Sequence, residues 1–307
     1  MRNKVKLRLQ FPGNSCRKGH KAAIHRGFIS FVLGFLQAIL ILYPDARVAG
    51  QTAPLTIGQT FTIKSTILGE LRRINVYEPP ASADSTNAAL PVLYMPDGGV
   101  SEDFLHVAGL VQVSVGNGTM RPFLLVGIEN TQRRRDLTGP TEIEADKKIA
   151  PRVGGSQSFR QFIRKELMPE VKSRYRTTDE TAIVGESLAG LFVVETFLLE
   201  PDLFDSYLAF DPSLWWNQEK LVREAGGKLT TRPQLAKTLY LASSDERGII
   251  EPTKRFAAVL TLSAPSELRW HYEKMPEEKH STIYHPAALK AFREVFKPLP
   301  AGNSSKP

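Results

Sequence analysis

The stretch Thr181-Ala-Ile-Val-Gly185-Glu186-Ser187-Leu188-Ala189-Gly190-Leu-Phe-Val-Val-Glu-Thr-Phe-Leu-Leu199 decides how this chain is read. A short apolar run leads into a turn carrying one serine, and an apolar helical run follows. Strand, tight turn and helix in that order describe a nucleophile elbow, in which the serine hydroxyl stands at the top of a parallel sheet. The backbone of such a turn is strained, so the residues two positions either side of the serine must be small. Gly185 and Ala189 meet that need, and Gly190 lets the new helix pack close to the strand. The bland alternative is an ordinary loop with an idle serine, and the surrounding sequence weighs against it.

Outward from the elbow, apolar β-branched runs alternate with amphipathic segments. This pattern predicts a mainly parallel sheet of about eight strands flanked by helices. Strands are expected at Phe61–Leu68, Leu71–Tyr77, Pro91–Met95, Phe123–Ile128, Thr181–Val184, Tyr207–Phe210, Thr238–Ala242 and Leu268–Glu273. Gly69-Glu70 joins the first two as a hairpin would, giving an antiparallel start. Helices are expected at Glu102–Val115, Ser158–Tyr175, Leu188–Leu199, Pro252–Thr261 and Pro286–Phe296. In the second, Phe159, Phe162, Ile163, Leu167 and Val171 follow helical spacing and bury one face. The long loop between Asn130 and Gln157 holds Arg133-Arg134-Arg135-Asp136, and a loop of that length in a compact domain is more often functional than idle.

The first 50 residues differ from the rest. Residues 1–26 carry eight Lys or Arg and no acid, and residues 27–43 (GFISFVLGFLQAILILY) are apolar apart from Ser30 and Gln37. Small residues close the segment at Ala49-Gly50. Basic, apolar and small-residue regions in that order describe a secretory leader, so the mature chain is expected to be exported, periplasmic or secreted. The apolar run is marginal against the roughly 20 residues of a membrane helix, which makes a retained anchor the alternative. The net charge of +8 comes from this leader, since its nine Lys or Arg and one acid leave 31 basic and 31 acidic residues in 51–307. The charge therefore gives no case for a nucleic-acid partner. The single cysteine, Cys16, also lies in the leader, so residues 51–307 can form no disulfide and offer no thiol nucleophile or thiolate metal site. Residues 51–307 fit one α/β domain, with a frayed tail from about 298.

An elbow serine needs a base, and histidine titrates near neutrality. Of the six histidines, His20 and His25 lie in the leader, His106 on the first helix, His271 in the last strand and His285 at the opening of the last helix. His280 follows the last strand in a polar loop and is the expected base. The acid that orients the imidazole should follow a late strand: Asp245 or Glu246 after the seventh, or Asp211 after the sixth, and spacing alone does not choose. An oxyanion needs two backbone N–H groups. The Leu188 amide is one candidate, and Gly98 or Gly99 in Met95-Pro-Asp-Gly-Gly-Val100 is the other, with a plain turn as the alternative.

With these pieces assembled, the chain resembles the putative-esterase family of α/β-hydrolases, which includes the ferric-enterobactin and salmochelin esterases. The blocks that carry the resemblance are PVLYMPDGG (91–99), VGIENTQRRRDLT (126–138), FIRKELMPEVKSRYRTTDETAIVGESLAGL (162–191), DLFDSYLAFDPSLWWN (202–217) and KHSTIYHPAALKAF (279–292). The resemblance implies an α/β-hydrolase fold with Ser187 as nucleophile and His280 as base. It puts the acid at Glu246, with Asp245 as second choice. Glu186 departs from the histidine common before the serine, and Gly139 interrupts the family's Arg-Asp-Leu-Thr-Pro run. Arg133 and Arg135 are candidates for binding an anionic or catecholate group, or for pairing with Asp136. Trp215 and Trp216 are candidates for core packing or for lining the acyl side. The expected function is a serine esterase acting through an acyl-enzyme on a small-molecule ester, with a siderophore ester as a candidate and no metal or organic cofactor called for. An acyltransferase of the same fold and a siderophore-binding protein without catalysis are the alternatives.

Overall fold

A computed structural model describes residues 53–80 and 88–298. The leader read at 1–50 and the tail beyond 298 lie outside the described residues. Eight strands form one sheet: β1 Gln59–Ser65, β2 Glu70–Tyr77, β3 Leu90–Pro96, β4 Leu124–Ile128, β5 Thr177–Glu186, β6 Ser206–Phe210, β7 Thr238–Ser243 and β8 Arg269–Lys274. Their order across the sheet is β1-β2-β4-β3-β5-β6-β7-β8. β1 and β2 form a hairpin at Gly69, whose φ of 69° suits a residue without a side chain. β2 meets β4 antiparallel, and every later pairing is parallel. The expected mainly parallel eight-stranded sheet is what the structure has.

Burial explains why these segments are strands. β4 and β6 are buried at every position, as strands covered on both faces must be. Period-two alternation then sends neighbouring residues to opposite sides. On one face Leu93, Met95, Ala182, Val184, Leu208 and Phe210 pack under helices α1 Phe104–Gly116 and α9 Tyr284–Val295. On the other, Val92, Tyr94, Ile183, Tyr207 and Leu241 pack against the remaining helices. These are the short α2 Arg133–Asp136 and α3 Glu144–Lys147, then α4 Ser156–Phe162, α5 Met168–Arg174, α6 Leu188–Leu199, α7 Trp216–Thr230 and α8 Arg247–Ser263.

Three elements depart from the expected pattern. The helix predicted over Ser158–Tyr175 is α4 and α5 joined by a π-helical turn at Ile163–Leu167. Helix α7 was not legible, because Gly226-Gly227 and the left-handed Asn217, Gln218 and Glu219 (φ 49°, 51° and 61°) blur its periodicity. Helix α8 begins at Arg247 rather than at Pro252, with the proline inside it although proline favours a first turn. The loop 130–157 is held to the sheet by Arg72 of β2, a fully buried guanidinium that pairs with Asp136 at 2.5 Å and lies 5.1 Å from the Phe159 ring centre.

Candidate active site

The elbow forms as its composition requires. Ser187 has φ 60° and ψ −120°, a conformation that costs a residue with a Cβ and is kept only where the surroundings impose it. The amide of Ser187 donates to Phe210 O at 3.0 Å, and its carbonyl accepts from Ser213 N at 3.0 Å, so β6 and its exit loop pin both sides of the turn. A Cβ on Gly185 would stand 2.7 Å from the Ala189 Cβ, and one on Gly190 would stand 2.9 Å from Phe210 O. Small residues are therefore forced by contact at both positions.

The loop after β8 brings His280 to the serine, with Nε2 3.1 Å from Ser187 Oγ. On the other side of the ring, Nδ1 lies 2.9 Å from Asp211 Oδ2. Asp211 is fully buried in the turn after β6, where φ is 43°. It also accepts from Ser244 N at 2.6 Å and from Ser244 Oγ at 2.7 Å. The sequence reading preferred Glu246, then Asp245, and neither holds the ring in this structure. Asp245 pairs with Lys279 Nζ at 2.6 Å and so ties down the histidine's own loop. Glu246 caps α8 and reaches His280 only through its charge. The left-handed turn at Asp211 aims its carboxylate along the sheet edge at the imidazole, a geometry that residue spacing does not reveal.

Glu186 is the second carboxyl group at the imidazole, with Oε1 3.2 Å from His280 Nδ1. Burial pushes its carboxyl up to about 8, with Asp211 and Asp103 adding repulsion against the pull of His280 and Arg133. The imidazole is in turn held above its ordinary value, chiefly by the hydrogen bond to Asp211, with burial opposing and Glu186 adding attraction.

The glycine turn after β3 differs from its expected role. Gly98 donates to Ile128 O at 3.0 Å and Gly99 donates to Glu102 Oε2 at 2.6 Å, so both amides already have acceptors. A Cβ on Gly98 would lie 2.2 Å from Ile128 N, which shows that close approach of β4 requires this glycine. Leu188 is the first residue of α6, so its amide has no intrahelical acceptor.

The remaining candidates separate cleanly. Arg133 holds buried Asp97 through Nε and Nη2, both at 2.7 Å, and is near enough to Glu186 to act on its charge. Arg135 spends its fork on Glu70 and Asp136, which makes it a tie between the loop and β2 rather than a substrate ligand. Trp216 is buried and donates Nε1 to Gly139 O at 3.0 Å, while half-buried Trp215 packs against its edge. Gly139 has a separate cause: a Cβ there would meet Glu195 Oε1 at 2.1 Å.

A family model described as "Putative esterase" matches residues 65–288. The chain belongs to this family. Among its relatives is the ferri-bacillibactin esterase BesA of Bacillus subtilis (strain 168), 30% identical over 203 residues, or 57% of this chain and 68% of that protein. The iron(III) salmochelin esterase of Escherichia coli O6:H1 is 25% identical over 171 residues, or 54% of this chain and 38% of that protein. The solved structure of an IroE-like serine hydrolase from Shewanella oneidensis superposes with a TM-score of 0.70 at 30% identity. It covers 78% of this chain and 80% of that one. The esterase resemblance and the hydrolase fold expected from the sequence are thus the ones the comparisons give.

Proposed function

We propose that this chain is a serine esterase in which Ser187 attacks, His280 carries the proton and Asp211 orients the ring. The observation that carries this reading is the unbroken line from Ser187 Oγ through His280 to buried Asp211, at 3.1 and 2.9 Å, on a strained elbow. Ser187 Oγ bonds to the ester carbonyl carbon as its proton passes to His280 Nε2. The Leu188 amide meets the oxyanion, and Gly99 can supply a second donor only by releasing Glu102. The carbon–oxygen bond to the alcohol then breaks, and Nε2 returns its proton to that oxygen. Water gives a proton to the same nitrogen, attacks the acyl carbon and frees the acid with Ser187 restored.

The two curated relatives above act, by their names, on iron siderophores, and we extend that substrate class to this chain. Arg133 supports the extension, since Asp97 occupies two of its three nitrogens and leaves Nη1 for a phenolate or catecholate oxygen. The basic, apolar and small-residue order of residues 1–50 supports export to the periplasm or beyond. Among the described residues no helix is long and apolar enough to cross a membrane. The test is a fluorophosphonate probe and a substrate panel of catechol lactones, aryl esters and acetylated sugars read by mass spectrometry. Ser187 should label, the lactones should open fastest, and Ser187→Ala should lose on the order of 10⁶ in kcat. Activity retained in that variant refutes the mechanism, and preference for acetylated sugars refutes the substrate class.

A further inference from the structure

Glu186 adjoins the nucleophile, yet no step above uses it. Its Oε1 lies 3.2 Å from His280 Nδ1, the atom that Asp211 Oδ2 meets at 2.9 Å. That oxygen is buried and has no hydrogen-bond partner among the described residues, because the single Nδ1 proton is directed to Asp211. Two carboxyl groups therefore converge on one N–H. Resting on His280 as the base, we propose that Glu186 is a positioning residue, a second carboxyl partner of the imidazole that makes Glu186 and His280 exchange protons as one unit.

The surroundings fix how the unit divides its charge. Glu186 faces His280, Asp211, Arg133 and Asp103, with Tyr284 of α9 within electrostatic reach. His280 faces Asp211, Glu186 and Glu246. Asp211 accepts three hydrogen bonds, two of them from Ser244. Among the described residues Glu186 accepts none, and its burial pushes its carboxyl up to about 8, toward the raised range of the imidazole. Each group's proton then depends on the other's charge, so the two protons leave in overlapping steps. Loss of the first can leave the ring and Glu186 both neutral, a form in which Nε2 can take the serine proton. Loss of the second places a new carboxylate beside Nδ1 and makes the ring more basic.

The experiment is a nitrogen-15 titration of histidine-labelled protein from pH 4.5 to 10, with His280 assigned by its absence in His280→Gln. The expected wild-type curve for His280 is broader than a one-proton step, with a second inflection near the value of Glu186. In Glu186→Gln a single step should appear, with its midpoint lower by about one unit. His106, His271 and His285 should not move. A single-step wild-type curve, or curves that superimpose between the two proteins, overturns the proposal. The wild-type shape decides the matter if the variant does not fold. The readout needs no turnover, so two-step titration with an unlabelled Ser187 sinks the esterase reading alone. Normal labelling with superimposed curves sinks only the role of Glu186.

Discussion

Replacing Asp211 by Asn tests the assignment that sequence spacing could not make. Asp211 gives Oδ1 to Ser244 N and Oδ2 to both Ser244 Oγ and His280 Nδ1. An asparagine that keeps its oxygen on Ser244 N must turn its NH2 toward Nδ1. Two donors would then face each other unless the ring shifts its proton to Nε2, which points at Ser187 and can no longer accept there. A wrong tautomer of this kind costs about 10⁴ in kcat, or roughly 5.4 kcal/mol at 1.36 kcal/mol per decade. Glu246→Gln removes only a charge that acts without a hydrogen bond to the ring, so about a threefold change is expected. Initial rates on p-nitrophenyl butyrate measure both, with circular dichroism confirming the fold. If Asp211→Asn retains a tenth of wild-type activity while Glu246→Gln loses a thousandfold, the geometry has been misread and Glu246 is the acid.

Glu186→Gln should raise stability in alkali but not in acid. The folded carboxyl keeps its proton up to about 8, whereas the unfolded one releases it near 4.5, so the native wild type loses ground across that window. Urea melts should give the variant an advantage that grows by about 2–4 kcal/mol between pH 4.5 and 8.5, and a constant difference would contradict the cause given. Arg72→Leu leaves buried Asp136 with Arg135 as its one remaining cation and should cost about 3 kcal/mol in the same assay, the low end for a broken buried pair. Arg133→Lys keeps the charge but loses the two-pronged grip on Asp97, so KM for catechol lactones should rise while kcat for p-nitrophenyl butyrate holds. An equal loss on both substrates would assign Arg133 to structure alone.

What the sequence revealed and what it hid follow from range. The elbow is largely local: Gly185 and Ala189 touch each other four positions apart, and only Gly190 answers to a distant neighbour, Phe210 of β6, so a short window carries the signal. His280 was chosen by elimination, because topology leaves few histidines beyond the last strand, and its Nε2 does lie 3.1 Å from Ser187 Oγ. Asp211 was one of three acids left open and ranked behind Glu246, because its contact with His280 depends on a left-handed turn and on donors 33 residues away at Ser244. Gly98 and Gly99 were read as oxyanion donors, but β4 crowds the first, Glu102 and Glu129 crowd the second, and both amides already have acceptors. Glu186 stood out only as a departure from the family's residue before the serine, and its position at Nδ1 could be seen only once β5, β6 and the histidine loop were side by side.

The hydroxyl at 187 meets the imidazole at 280 across 93 positions, and that imidazole meets the carboxylate at 211 across 69 positions. No fragment of the polypeptide contains the relay, and no stretched chain can assemble it. Until the parallel strands have closed, no imidazole stands beside the hydroxyl of residue 187, and under the proposed mechanism it stays an ordinary alcohol. Under that mechanism, reactivity arrives only with folding.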